Sequence, residues 1–91
     1  MKARMYRYAD WVEETNPAKL QITYRNALQD SGFDVISVNE KYFEPHGYTA
    51  LYLLGESHLA IHTFPEEQAS YIELSSCVQK PFYEFIKRVT K

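Results

Sequence analysis

The alternation of apolar and polar positions predicts a chain made mostly of short strands. Segments rich in β-branched and aromatic residues recur in the pattern of a strand, and turn-forming residues separate them. The predicted strands are residues 5–12, 34–43, 48–54, 58–64 and 71–77. The predicted turns between the later strands are residues 44–47, 55–56 and 65–68. Because these turns are short, we expect the strands to pair as hairpins.

Two further segments have the spacing of amphipathic helices. The first begins at Pro17, with Thr15 or Asn16 as its cap, and Gly32 ends it. Its inward face is predicted to consist of Leu20, Tyr24, Ala27, Leu28 and Ser31. The second begins at Pro81, and its apolar face consists of Phe82, Phe85, Ile86 and Val89. The order β-α-β-β-β-β-α predicts an α+β fold, a two-layer sandwich with both helices on one face of an antiparallel sheet.

Composition narrows the classes of protein to consider. The chain has 91 residues, 45% of them hydrophobic and only three of them glycine, so we expect residues 1–91 to form a single globular domain. Ten basic and twelve acidic residues, without a basic run, do not favour nucleic acid as a partner. The N-terminus lacks the apolar run of a signal peptide, and the apolar segment 50–54 is too short to span a bilayer. We therefore expect a cytoplasmic protein that does not bind a membrane.

The segment 56–66, Glu-Ser-His-Leu-Ala-Ile-His-Thr-Phe-Pro-Glu, carries the strongest indication of chemistry. It places the Glu56–Ser57 bond beside a histidine, and Cys77 is the only cysteine of the chain. A hairpin symmetric about the following turn would set Ser57 opposite Cys77, with Cβ atoms roughly 5 Å apart. A serine and a thiol beside one peptide bond suggest a chain that cleaves itself there and converts Ser57 into a pyruvoyl group.

A second group of side chains follows from the other two turns. They predict Thr49 opposite His62 and Phe43 opposite Thr49. Ser57 directly precedes the predicted strand 58–64 that contains His62, and along one extended strand the two residues lie about 16 Å apart and on opposite faces. We therefore expect a homodimer with shared active sites. One subunit would contribute Ser57 and Cys77, and its twin would contribute Phe43, Thr49, His62 and Glu66.

Residues 56–58 (Glu-Ser-His) and 61–66 (Ile-His-Thr-Phe-Pro-Glu), with Cys77 downstream, resemble the S-adenosylmethionine decarboxylase proenzymes of the bacterial short-chain type. The resemblance implies a self-processing, pyruvoyl-dependent carboxy-lyase. Its substrate would be S-adenosylmethionine, and its product would be the aminopropyl donor for polyamine synthesis. The resemblance also implies a pyruvoyl group derived from Ser57 as the cofactor, without a metal.

The same resemblance implies roles in the cleavage reaction. Ser57 Oγ would attack the Glu56 carbonyl to form an ester, and the hydroxyl of Thr49 would assist. His62 would be the base for the elimination that breaks this ester, leaving dehydroalanine, which hydrolyses to pyruvoyl and ammonia. During decarboxylation, Cys77 would donate a proton to the substrate from an un-ionised thiol.

Substrate contacts are implied in the same way. Phe43 matches a position whose ring stacks on adenine, and Glu66 matches a carboxylate that accepts ribose hydroxyls. Phe64 stands where relatives usually have Trp, which keeps an aromatic surface of smaller area. Asp10 on the first strand is expected to hold the amine or sulfonium side of the substrate.

Departures from the family pattern keep alternatives open. Thr49 replaces the usual Ser, and relatives continue beyond the position of Lys91. These departures suit a non-processing homologue that acts as a partner or regulatory subunit. A pyruvoyl-dependent decarboxylase of arginine or ornithine is a second alternative. A metal hydrolase would use His58, His62 and Cys77, but along a strand the two histidines lie about 13 Å apart, too far to share one ion.

Overall fold

The computed structural model describes residues 1–90, and Lys91 lies outside the described part. The strands are β1 (Tyr6–Val12), β2 (Val35–Tyr42), β3 (Tyr48–Leu54), β4 (Ser57–Phe64) and β5 (Ala69–Ser76), and the helices are α1 (Pro17–Ser31) and α2 (Gln79–Val89). A short 3-10 turn, Pro65–Glu67, joins β4 to β5. The five strands form one antiparallel sheet in the order β1-β5-β4-β3-β2. The predicted element order and the α+β fold are confirmed.

The ends of α1 follow the signals in the sequence. Asn16 is the cap, because its side-chain oxygen accepts a 3.0 Å hydrogen bond from the backbone N–H of Lys19. Pro17 occupies the first turn, where its missing N–H leaves no helical bond unmade. Gly32 ends the helix with a φ of 108°, in the left-handed region that glycine adopts most readily. The second helix, α2, begins slightly before the predicted Pro81.

The hydrophobic core lies between the sheet and the two helices. Alternate residues of the three central strands are buried against α1 and α2, as the period of a strand requires. These residues are Tyr48, Ala50, Tyr52, Leu54, Leu59, Ile61, Ile72 and Leu74. The helices contribute Leu20, Tyr24, Ala27, Leu28, Phe82 and Phe85. The predicted helix faces are therefore confirmed, although Ile86 and Val89 are only partly buried at the edge of the core.

The opposite face of the sheet, the open face, is covered by neither helix. Its apolar side chains include Trp11 of β1 and Leu51 and Leu53 of β3, each about half-exposed. The Trp11 ring packs on Tyr71 of β5, with 5.2 Å between ring centroids. Exposed apolar side chains spread over one sheet face are typical of a surface that another protein layer covers. Neither helix within residues 1–90 has the length and apolar character that crossing a membrane requires.

The β3–β4 hairpin has the predicted register, and the β4–β5 hairpin does not. Thr49 pairs with His62, as predicted. The prediction that Ser57 lies opposite Cys77 is wrong by one residue, because Ser57 pairs with Ser76. The loop between β4 and β5 has four residues, so the hairpin axis passes between two residues and not through one. Directly opposed residues share a face, so Ser57 and Ser76 point the same way.

The β2–β3 hairpin also differs from its predicted register. Lys41, and not Phe43, pairs with Thr49, because the loop is centred one residue earlier than predicted. Phe43 lies just beyond β2, where its N–H donates a 2.9 Å hydrogen bond to the carbonyl oxygen of Gly47. Gly47 has a φ of 112°, which a residue with a Cβ rarely adopts. Phe43 therefore lies in the loop at the end of the sheet.

Candidate active site

The Glu56–Ser57 bond lies at the tight turn between β3 and β4. Glu56 has a φ of 54°, in the left-handed region that costs a residue with a Cβ roughly 1–2 kcal/mol. Gly55, the turn residue that would tolerate such an angle freely, does not adopt it. The bond predicted to be cleaved therefore follows a strained residue, and such strain clusters at functional sites.

Cys77 lies beside this bond. Its Sγ is 3.8 Å from the carbonyl oxygen of Glu56 and 3.9 Å from the Oε1 of the same residue. Cys77 directly follows the end of β5 at Ser76, and its side chain is partly buried. Cys77 therefore lies beside the Glu56–Ser57 bond, as predicted. It contacts Glu56, however, and does not pair with Ser57.

The side chain of Ser57 points to the helix-covered side of the sheet. It is 6% exposed, and its Oγ donates a 2.8 Å hydrogen bond to the Oγ of Ser76, which is 0% exposed. The Oγ of Ser76 also accepts a 2.9 Å hydrogen bond from the backbone N–H of Val78. Sequence reasoning missed Ser76, because an error of one residue in the hairpin register exchanges it for Cys77.

Thr49 and His62 form a second group on the open face. The Oγ1 of Thr49 lies 2.9 Å from the Nδ1 of His62, a hydrogen bond between neighbouring strands. The His62 ring stacks on Tyr71, with centroids 6.5 Å apart and planes inclined by 21°. A hydroxyl bonded to one nitrogen of an imidazole holds the ring in place and leaves the second nitrogen for proton transfer.

A cavity of about 300 Å³ opens beside Thr49 and His62. The predicted site residues that line it are Phe43, Thr49, His62, Phe64 and Glu66. The other lining residues are His46, Gly47, Tyr48 and Thr63. These residues meet because the β2–β3 loop and the turn after β4 lie at the same end of the sheet. One cavity therefore gathers all the side chains predicted for substrate binding except Asp10.

The cavity offers aromatic surfaces and one carboxylate to a ligand. Glu66 Oε1 lies 3.5 Å from the Nδ1 of His46, and both side chains are about half-exposed. The Phe64 ring packs against Trp11, with 5.7 Å between centroids. Sequence reasoning missed both His46 and Trp11. Trp11 lies on β1 and Phe64 on β4, and β5 separates these strands in the sheet. No short-range sequence pattern therefore predicts their contact.

Asp10 lies away from this cavity. Its Oδ1 accepts a 2.8 Å hydrogen bond from the backbone N–H of Trp11, and its Oδ2 lies 3.4 Å from the hydroxyl of Tyr8. The Tyr8 ring packs against Phe85 of α2, so Asp10 lies on the helix-covered side of the edge strand β1. The structure does not bring Asp10 to the other candidates, and its substrate contact stays a prediction.

Within one chain, the cleavage bond and the Thr49–His62 pair are far apart. Ser57 begins β4 opposite Leu54, and His62 lies further along the same strand. Five residues of a strand span about 16 Å. Ser57 faces the helices, whereas His62 faces the open side. A single copy of the chain therefore does not hold the Glu56–Ser57 bond against the imidazole.

The histidines are not grouped as metal ligands. Within residues 1–90, no three His, Cys, Asp or Glu side chains come together in a way that could hold a metal ion. His58 and His62 both belong to β4, and their spacing along the strand is about 13 Å. The grouped side chains are suited to proton transfer and to binding an aromatic ligand.

Comparison with known proteins identifies the family. The family model described as S-adenosylmethionine decarboxylase matches residues 10–91, so the chain belongs to the S-adenosylmethionine decarboxylase family. S-adenosylmethionine decarboxylase proenzyme 2 of Bacillus anthracis is 51% identical over 52 residues, which are 57% of this chain and 42% of the relative. The S-adenosylmethionine decarboxylase proenzyme of Prochlorococcus marinus (strain MIT 9313) is 35% identical over 68 residues, which are 75% of this chain and 54% of the relative. The chain thus matches about half the length of these curated relatives.

The fold has a solved counterpart. The crystal structure of the adenosylmethionine decarboxylase from Aquifex aeolicus VF5 superposes with a TM-score of 0.72 at 20% sequence identity. The superposition covers 99% of this chain and 83% of that chain. At this identity the likeness establishes the fold. The family predicted from the Glu-Ser-His and Ile-His-Thr segments is confirmed by the family match.

Proposed function

We propose that this chain is a self-processing, pyruvoyl-dependent decarboxylase of S-adenosylmethionine that supplies the aminopropyl donor for polyamine synthesis. The observation that carries the proposal is the environment of the Glu56–Ser57 bond. Glu56 is strained, and the Cys77 thiol lies 3.8 Å from its carbonyl oxygen. The relatives are named as proenzymes, and a proenzyme is a chain that must be processed before it acts.

Processing would begin with attack of Ser57 Oγ on the carbonyl carbon of Glu56. The peptide C–N bond breaks as the ester C–O bond forms, and the released nitrogen takes up the hydroxyl proton. The strain at Glu56 favours this step, because breaking the bond lets the turn relax. The Thr49–His62 pair supplies a hydroxyl for the ester step and a base that removes the Cα proton of Ser57 in the elimination.

The surroundings of Ser57 fit a pyruvoyl group. Ser57 pairs with Leu54 on one side and with Ser76 on the other, so the new N-terminus of β4 would stay anchored between two strands. Once formed, the pyruvoyl ketone would supply an electrophile that accepts the electrons released as carbon dioxide leaves. Cys77, whose Sγ lies 3.8 Å from the carbonyl oxygen of Glu56, would donate a proton to the substrate carbon.

The cavity would hold the nucleoside part of the substrate. Phe43 and Phe64 line it, and stacking of one base on an aromatic ring contributes roughly 1–3 kcal/mol. Glu66 also lines the cavity, and its carboxylate would accept hydrogen bonds from the ribose hydroxyls. The position of Asp10 on the other side of the sheet gives no support to its contact with the substrate amine or sulfonium.

We further propose a homodimer with shared active sites. The distance of about 16 Å between Ser57 and His62 along β4 supports a site that a second chain completes. The exposed Trp11, Leu51 and Leu53 make the open face suited to cover the open face of a twin, since packed sheets bury apolar side chains between them. In such a dimer, the Glu56–Ser57 bond of one chain would approach the Thr49–His62 pair of the other.

Mass spectrometry of the intact, freshly purified chain tests the proposal. We expect two fragments that separate between Glu56 and Ser57, the second with an N-terminus blocked to sequencing and reactive towards hydrazines. Carbon dioxide release from S-adenosylmethionine, compared with arginine and ornithine, then tests the substrate. A chain that stays whole and does not react with hydrazines would overturn the enzymatic proposal and favour a non-processing partner. A cytoplasmic location stays a prediction.

A further inference from the structure

The hydroxyl of Ser57 is hydrogen-bonded to a buried side chain, that of Ser76, which has no role in the reaction proposed above. Ser57 Oγ donates to Ser76 Oγ over 2.8 Å, and both side chains are buried. Ser76 is itself held in place, because its Oγ accepts the 2.9 Å hydrogen bond from the N–H of Val78 at the cap of α2. The proposed nucleophile is therefore bonded to a hydroxyl whose own position is fixed.

Other candidate groups do not reach the nucleophile. The Cys77 thiol contacts the Glu56 carbonyl and carboxylate oxygens. Thr49 and His62 bond to each other on the opposite face of the sheet. Ser57 is 6% exposed, which leaves little room for water to serve as its hydrogen-bond acceptor. Among residues 1–90, Ser76 is the side chain bonded to Ser57 Oγ.

We propose that Ser76 is a positioning residue for the self-processing reaction. Its hydroxyl holds Ser57 Oγ in one rotamer and accepts the hydrogen bond of the Ser57 hydroxyl while that oxygen attacks the Glu56 carbonyl carbon. This inference rests on the proposed self-processing function.

The chemistry of the first step explains why an acceptor helps. As the C–O bond to Glu56 forms and the C–N bond breaks, the Ser57 hydroxyl becomes more acidic before its proton passes to the released nitrogen. A hydrogen bond from an increasingly acidic donor strengthens, so Ser76 stabilises the transition state more than the resting chain. Fixing one of the three staggered rotamers of Ser57 also keeps the oxygen ready to react. Ser76 cannot itself be the base, because a neutral hydroxyl does not take up a proton at neutral pH.

The test compares substitutions that separate the hydroxyl from side-chain size. Ser76→Ala removes the acceptor, and Ser76→Cys keeps the shape but replaces oxygen with a weak acceptor. Ser76→Thr keeps the hydroxyl. Ser70→Ala is the matched control, because Ser70 is equally buried on the same face of β5 but donates its 2.7 Å hydrogen bond to the carbonyl oxygen of Glu14. The half-time of cleavage is followed by intact-mass spectrometry, and folding by circular dichroism.

We expect cleavage to slow about tenfold in Ser76→Ala and Ser76→Cys, the effect of losing one neutral hydrogen bond in the transition state. Ser76→Thr should cleave within about threefold of the wild type, since one methyl group changes packing but not the acceptor. Ser70→Ala should cleave at the wild-type rate. If Ser76→Ala does not fold, the comparison of Ser76→Cys with Ser76→Thr carries the test.

Two outcomes would overturn the inference while leaving the proposed function intact. One is cleavage of folded Ser76→Ala and Ser76→Cys at the wild-type rate. The other is a Ser76→Thr chain that cleaves as slowly as Ser76→Cys, which would mean that shape and not the hydroxyl matters. A wild-type chain that does not cleave at all would instead reject self-processing itself.

Discussion

At the scale of single residues, Glu56 and His62 define the two halves of the proposed processing reaction. The backbone of Glu56 adopts the left-handed conformation next to the bond to be broken. His62 holds an imidazole whose Nδ1 is bonded to the hydroxyl of Thr49. Because the residues belong to different groups, single substitutions should separate ester formation from elimination.

Replacing His62 with alanine should make the ester accumulate, because its breakdown is slowed. The base that removes the Cα proton is lost, whereas Ser57 Oγ and the Glu56 carbonyl remain. We expect a chain of full mass that hydroxylamine cuts between these two residues, and pyruvoyl formation slowed about 10²- to 10⁴-fold, as for other general bases. His58→Ala is the matched control, an exposed histidine on the same strand. Equal loss in the two variants, or a chain resistant to hydroxylamine in His62→Ala, would contradict the role of His62.

Tyr24 should limit stability at high pH. Burial raises the pKa of the Tyr24 phenol from 10.0 to about 12, and Tyr8 and Asp10 add to the effect. The unfolded chain, with the lower pKa, loses its proton first, so stability is complete below pH 10 and falls as the pH rises towards about 12. Thermal unfolding should therefore show a smaller loss of Tm over this range in Tyr24→Phe than in the wild type.

The control for this pH dependence is Tyr83→Phe, which changes an exposed tyrosine of α2. Its Tm should follow that of the wild type across the same pH range. Parallel curves for the wild type and Tyr24→Phe would show that ionisation of the buried phenol does not affect folding.

At the scale of elements, the turns and caps place the candidate residues. The β2–β3 loop and the turn after β4 bring Phe43 and Glu66 to one cavity, and the β3–β4 turn strains Glu56. The helices affect the candidate site indirectly, because α1 and α2 cover the face of the sheet on which Ser57 and Ser76 lie. Loss of a helix cap should therefore affect stability rather than the chemistry of the open face.

The cap of α1 allows a direct test of this distinction. Asn16→Ala should lower the free energy of unfolding by about 1 kcal/mol, because the N–H of Lys19 loses its acceptor. Thr15→Ala is the control, since Thr15 is the neighbouring residue with capping chemistry but Asn16 makes the bond. Urea denaturation measures both. Equal destabilisation by the two substitutions would argue against Asn16 as the cap.

At the scale of the whole molecule, the open face should be a dimer interface. Leu53→Glu would place a charge among apolar side chains that the twin covers, and burying an unpaired charge is strongly unfavourable. We expect light scattering to show a monomer that does not process. Ile22→Glu, which changes an exposed apolar residue of α1, is the control and should remain dimeric. A Leu53→Glu chain that stays dimeric would place the interface elsewhere.

Mixed dimers test the sharing of sites. A Ser57→Ala chain lacks the nucleophile, and a His62→Ala chain lacks the base, so neither should process alone. If each site takes Ser57 from one chain and His62 from the other, mixing the variants should restore one competent site per dimer. Intact-mass spectrometry would then detect cleavage of the His62→Ala chain only. No cleavage in dimers verified as mixed would count against sharing.

Local patterns along the chain predict the elements, the helix faces, the Thr49–His62 pairing and the family. These features depend on local periodicity, on caps, on a two-residue turn and on short motifs, all of which operate within a few residues. Phe43, Thr49, His62 and Glu66 were accordingly predicted as one group, and they line one cavity.

The side chain that meets Ser57 and the position of Asp10 depend on how the elements pack together. Ser76, and not the predicted Cys77, lies opposite Ser57 because the β4–β5 loop has four residues. In this loop Gln68 adopts a φ of 54°, a conformation that a glutamine does not predict. A shift of one residue moves a side chain to the other face of a sheet, because successive residues point in opposite directions. Local sequence preferences are weak and leave more than one strand register possible. The packing of the sheet against α1 and α2 selects one register.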